Sequence, residues 1–127
     1  MRIAVVEDER PIREGLVHIL NKISPEYQVV GSAENGREGL ILLEEQDPDL
    51  ILLDIQMPDM NGLQMLKEAR ERGSMTKVVI LTAYSDFDYA KKAIALGIEN
   101  YLLKPVNLTE LKNTLSNIKE EIFVEQR

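Results

Sequence analysis

Five short apolar runs recur along the chain: Ile3-Ala4-Val5-Val6, Gln28-Val29-Val30, Leu50-Ile51-Leu52-Leu53, Val78-Val79-Ile80-Leu81 and Tyr101-Leu102-Leu103. Their apolar residues follow one another without in/out alternation, as in strands covered on both faces of a parallel sheet. Helical spacing fills the intervals. Ile12, Leu16, Ile19, Leu20 and Ile23 recur every three or four residues and form one stripe. The same spacing predicts helices near Gly36 to Gln46, Gly62 to Arg72, Asp86 to Leu96 and Leu108 to about Val124. Strands and helices that alternate in this way imply an α/β fold, a parallel sheet with helices on both faces.

Punctuation agrees with these boundaries. Ser24-Pro25 stops the first helix, Gly73 and Gly97 follow two others, and Asn107 with Glu110 can form a reciprocal cap on the last. At 127 residues the chain is long enough for one domain with one sizeable core. The last helix carries Leu108, Leu111, Leu115, Ile118 and Ile122 on one face, then Phe123 and Val124. The expected division is a domain over residues 1–122, with 123–127 either opening a linker toward a further domain or forming a frayed terminus.

Charge and composition exclude several function classes. With 22 acidic against 15 basic residues the formal charge is −7, so phosphate backbones are repelled and no basic stripe offsets the repulsion. Nucleic-acid binding by this domain is not expected. No apolar stretch approaches the roughly 20 residues needed to span a bilayer, and the N-terminus has no signal pattern, so a cytoplasmic protein is expected. The absence of cysteine removes disulfides, thiolate metal sites and thiol nucleophiles.

The runs also end informatively. The first leads into Glu7 and Asp8, the third into Asp54, the fourth into Thr82 and the fifth into Lys104. In open α/β sheets, ligands bind at these carboxyl ends of the strands. A flavodoxin-like, doubly wound five-stranded sheet of order 2-1-3-4-5, with five helices, would set Glu7 and Asp8 beside Asp54 at the switch point. At ~4 Å and an effective dielectric near 20, each like-charge pair costs about 4 kcal/mol, so the cluster needs a cation or a proton. All-oxygen, carboxylate-rich ligation fits Mg²⁺. Lys104 supplies a positive charge for a phosphoryl oxygen and Thr82 a hydroxyl donor, a set suited to phosphoryl chemistry with Asp54 as nucleophile.

Taken singly, these residues have plainer readings. Asp8 alone reads as a helix cap, Lys104-Pro105 as a strand end and Thr82 as a partner for a loop amide; their co-occurrence with Asp54 carries the functional reading. His18, the only histidine, falls between Val17 and Ile19 and is expected to be solvated or packed. Asp59, Asn61, Gly62 and Glu68 match part of a calcium-binding EF-hand loop, but Met57 at its first position offers no oxygen.

The chain resembles the receiver domains of two-component response regulators from Arg2 to about Ile122. The resemblance rests on Val5-Val6-Glu7-Asp8-Glu9, on Leu53-Asp54-Ile55-Gln56-Met57-Pro58-Asp59-Met60-Asn61-Gly62, on Leu81-Thr82-Ala83-Tyr84 and on Tyr101-Leu102-Leu103-Lys104-Pro105. It implies that Asp54 accepts a phosphoryl group from a phosphohistidine on a sensor histidine kinase, with Mg²⁺ held by Asp8, Asp54 and the Gln56 backbone carbonyl, and by Glu7 through water. It implies further that Lys104 pairs with the phosphoryl group, that Thr82 and the Ala83 backbone N–H donate to it, and that Tyr101 swings inward as Thr82 moves. Gln56 and Tyr84 would tune the phosphate lifetime, and the Lys104-Pro105 bond would be cis. By the same likeness the domain catalyses only its own phosphorylation and dephosphorylation, and it forms a homodimer when phosphorylated. The stretch from Tyr84 to Ala90 resembles receivers joined to AraC-type DNA-binding domains, so a transcriptional output domain is implied. Glu7 stands where the family more commonly has aspartate.

Three other readings compete. A phosphatase of the haloacid dehalogenase type would want a second aspartate where Gln56 stands. A nucleotide-binding module would want a glycine-rich or hydroxyl-rich loop after the first strand, where Glu7-Asp8-Glu9 would repel phosphate. A constitutive scaffold on the same fold needs none of the site residues.

Overall fold

A computed structural model describes residues 1–83 and 87–126, with the backbone alone at 87. The strands are β1 (Arg2–Val6), β2 (Gln28–Ala33), β3 (Leu50–Leu53), β4 (Lys77–Thr82) and β5 (Asn100–Leu103). They alternate with α1 (Arg10–Ile23), α2 (Gly36–Gln46), α3 (Gly62–Glu71), α4 (Phe87–Ala95) and α5 (Leu108–Glu125). The strands form one sheet of order β2-β1-β3-β4-β5 with all pairs parallel. Fold class and strand order are those read from the sequence. Among the described residues no helix is long and apolar enough to cross a membrane.

The missing in/out alternation has a direct cause: each central strand feeds two cores. Ile3 and Val5 of β1, Leu50 and Leu52 of β3, and Val79 and Leu81 of β4 face α1 and α5, where they meet Leu16, Leu20, Leu111, Leu115 and Ile118. Their alternates Ala4, Val6, Ile51, Leu53, Val78 and Ile80 face the other three helices, through Leu40, Leu63, Met65, Leu66 and Ala93 among others. Full burial of each large aliphatic side chain contributes about 1.5–3 kcal/mol.

The helix ends are specified locally. The Asn35 side chain accepts from the Glu38 N–H at the start of α2. At α3, Asn61 and Gln64 form a full reciprocal cap, each side chain accepting the other's backbone N–H at 2.9 Å. The expected reciprocal cap at Asn107 is one-sided here: its side chain accepts from the Glu110 N–H at 3.0 Å. Gly73 and Gly97 take positive φ (90° and 79°) just past α3 and α4, which a side chain would resist. α3 ends at Glu71 with Arg72 as its C-cap, and α4 ends at Ala95, one residue short of expectation in each case. The expected α4 start, Asp86, lies outside the described residues. β2 runs to Ala33 rather than Val30, because Gly31, Ser32 and Ala33 pair with Ala4, Val5 and Val6 after a register shift between Ile3 and Ala4.

Candidate functional site

Strand register sets the chemistry in place. β1 and β3 pair Val6 with Leu53, so the next residues, Glu7 and Asp54, leave the sheet at the same level. β4 and β5 pair Thr82 with Leu103, which delivers Lys104 one step later. The backbone ladder continues beyond the strands: the Glu7 N–H donates to the Ala33 carbonyl at 3.0 Å, Asp54 N–H to Val6 at 3.0 Å and Lys104 N–H to Thr82 at 2.7 Å. Each functional side chain therefore starts from a backbone atom held by its neighbouring strand.

Glu7, Asp8 and Asp54 each offer one carboxylate oxygen to a point, those oxygens lying within 4.8 Å of one another. Glu7 is 1% exposed and Asp54 6%, while Asp8 is half-buried. The Lys104 ammonium bonds to Glu7 Oε1 and lies 3.3 Å from Asp54 Oδ2. Burial pushes the Glu7 carboxyl up to about 8; its hydrogen bond to Asp54 and the Asp54 charge add to the rise, and Lys104 opposes it. For Lys104, burial works against the charged form, but the hydrogen bond to Glu7 and the Asp54 and Glu7 charges outweigh it, so its pKa is raised.

The donor set is all oxygen and strongly acidic, and the three groups converge from two loops that the sheet holds rigid. That arrangement fits a hard divalent cation with part of its water shell retained. Thr82 is fully buried at the end of β4 and Ala83 is exposed beside it. Gln56 follows Asp54 by two residues, its N–H facing Asp54 Oδ1 at 3.4 Å. Tyr101 is half-buried against the α2–α4 core. The Lys104-Pro105 bond is cis, as the resemblance implied. Tyr84 lies outside the described residues. Asp54, Gln56 and Lys104 line an open groove of about 640 Å³ whose other wall includes Ile12 and Leu16 of α1.

The plainer reading of Asp8 fails. Glu9, not Asp8, occupies the N-cap of α1, and its side chain makes no capping bond; Pro11 near the start helps set the helix. His18 is exposed on α1, the solvated of its two expected roles.

Sequence reasoning missed two residues that hold the site. The Arg13 guanidinium donates to the Glu7 carbonyl at 2.8 Å and to the Asp8 carbonyl at 3.4 Å, tying α1 to the loop that carries both acids. Tyr89 of α4 accepts a bond from the Gln56 side chain. Arg13 has no motif because it acts on backbone atoms, and the 84–90 stretch that contains Tyr89 gives no sign of a partner 33 residues away.

Comparison with known proteins gives the family and the fold. A family model described as the response regulator receiver domain matches residues 3–116. The transcriptional regulatory protein YdfI of Bacillus subtilis is 36% identical over 90% of this chain and 53% of its own length. The uncharacterized transcriptional regulatory protein YesN of the same organism is 31% identical over 95% of this chain and 33% of its own. The solved REC domain of AraT, a response regulator from Geobacillus stearothermophilus, superposes with a TM-score of 0.89 at 34% identity, covering 99% of this chain and 98% of that one. The chain thus spans a third to about half the length of these curated relatives. It belongs to the response regulator receiver domains of two-component systems.

Proposed function

We propose that Asp54 is the phospho-acceptor of this receiver domain. The observation that carries the reading is the buried Asp54 carboxylate at the end of a central strand, with Glu7 and Asp8 oxygens within 4.8 Å and the Lys104 ammonium 3.3 Å away. A sensor histidine kinase presents a phosphohistidine in the groove beside α1. An Asp54 oxygen forms the new P–O bond as the P–N bond breaks, and the ring nitrogen keeps the electron pair. Lys104 then pairs with a phosphoryl oxygen, and the Thr82 hydroxyl and Ala83 N–H donate to the others.

The residues that would hold Mg²⁺ are Asp8, Asp54 and the Gln56 carbonyl, with Glu7 acting through water. When bound, the ion neutralises charge on the phosphoryl oxygens. Thr82 and Tyr101 transmit occupancy to the surface of α4, β5 and α5, which a second copy of the domain covers on phosphorylation. On this reading the domain is residues 1–122, the linker opens at 123, and the attached output domain is DNA-binding, of AraC type. The domain turns over no external substrate, which the regulator names of its relatives support, and it acts in the cytoplasm.

The test is intact mass after incubation with acetyl phosphate, with and without Mg²⁺, beside Asp54→Asn. A single phosphoryl adduct that requires both Mg²⁺ and Asp54 is expected. No adduct, together with no Mg²⁺ binding, would leave the constitutive scaffold in its place.

A further inference from the structure

We propose that Tyr89 is a positioning residue for Gln56, and that its hydroxyl sets how long a phosphoryl group stays on Asp54. The inference deepens the phospho-acceptor reading and rests on it. Gln56 lines the groove beside Asp54 and Lys104, and its side-chain Nε2 donates to Tyr89 Oη at 3.3 Å. Tyr89 comes from α4, and its ring packs half-buried against the core beneath α2, α3 and α4. Ring packing alone thus fixes the hydroxyl, independently of the acids. The glutamine amide is thus held by a partner with its own anchorage.

The orientation of that amide has a chemical consequence. With Nε2 turned to Tyr89, Oε1 is the opposite end, and it can only accept hydrogen bonds. Loss of phosphate from Asp54 needs a water whose oxygen bonds to phosphorus while the bond from Asp54 oxygen to phosphorus breaks. The carboxylate leaves with the electron pair, and both water protons end on inorganic phosphate. An acceptor turned toward that water takes its O–H and points its lone pair at phosphorus. Without the tyrosine hydroxyl, the amide presents donor and acceptor ends in turn, and hydrolysis slows.

Tyr89→Phe keeps the ring and removes only the hydroxyl. The purified domain is phosphorylated with acetyl phosphate and Mg²⁺, the donor is removed, and decay of the adduct is followed by mass for wild type, Tyr89→Phe, Gln56→Ala and the double variant. The expected result is a lifetime at least about threefold longer in Tyr89→Phe, with no further change when Gln56 is already alanine. In the unphosphorylated protein, the Gln56 side-chain amide resonances should shift in Tyr89→Phe, a signature that a packing role alone would not give. An unchanged or shortened lifetime, the same factor in the Gln56→Ala background, or unmoved amide resonances would each overturn the inference. No adduct on wild type, together with no Mg²⁺ binding, would instead overturn the phospho-acceptor reading and this inference with it; an adduct indifferent to Tyr89 overturns this inference alone.

Discussion

Gly62 lies against Asp54 so closely that a Cβ at position 62 would overlap the Asp54 carbonyl oxygen and stand 3.0 Å from the Ile55 Cα. The loop from Pro58 to Asn61 turns back to make this contact, and the Gly62 N–H donates to the Ile55 carbonyl at 2.8 Å. Both obstructing atoms are backbone, so neither can rotate aside. Gly62→Ala is expected to lower stability by about 1–3 kcal/mol and to displace the Asp54 backbone. Urea unfolding followed by circular dichroism measures the first effect, and a reduced acetyl phosphate adduct measures the second.

Arg70 of α3 is spent on backbone carbonyls. Its guanidinium donates to Leu96 (2.9 Å) and Gly97 (2.8 Å) past the end of α4, and to Ser74 (3.0 Å) and Thr76 (2.8 Å) ahead of β4. Arg70→Met keeps the aliphatic stem and strips these acceptors of their donor. A loss of about 2–4 kcal/mol is expected, since unsatisfied part-buried acceptors and a lost charged donor add. Hydrogen exchange should quicken first in the last turn of α4.

Glu7 makes both stability and metal binding depend on pH. Its folded pKa of about 8 lies above the ordinary 4.5, so the native state holds a proton that the unfolded chain releases between those values. Without metal, stability should therefore fall as pH rises from 4.5 toward 8 and level off above. Mg²⁺ favours the ionised acid, so its affinity should rise across the same window and binding near pH 7 should release a proton. Calorimetry in buffers of different ionisation enthalpy reads that proton, and Glu7→Gln should abolish it.

Lys104 occupies the charge niche that a cation would fill, bonded to Glu7 and near Asp54. Lys104→Ala removes a competitor and leaves the acids more negative. Mg²⁺ should bind at least about threefold more tightly, a modest share of the Coulomb energy at such a distance. Titration monitored by tyrosine fluorescence or calorimetry decides; weaker binding would mean that the lysine organises the acids rather than competing for them.

The strands and their polar ends were legible because the same apolar runs that build a doubly covered sheet stop where the chemistry begins. α2 was legible to the residue from its helical spacing, and in the structure Asn35 and Asp47 cap its ends. The end of β2 was not, because Gly31, Ser32 and Ala33 carry no strand preference and extend only by pairing with β1. The full capping box fell at Asn61 and Gln64, a spacing visible in the chain but passed over for Asn107 and Glu110. Arg13, Arg70 and Tyr89 were illegible for a shared reason. Their partners are carbonyls or a distant amide brought near only by the finished fold, and sequence spacing carries no trace of that.

The hydrogen bonds that prolong the strand ladder through Glu7, Asp54 and Lys104 make the candidate site a product of alignment. A slip of β3 by one residue against β1 would bring Leu53 or Ile55 to the level where Asp54 now stands, and would turn both cores inside out. Threading the sheet correctly and bringing the Asp54 carboxylate to the level of Glu7 and the Lys104 ammonium are therefore one event.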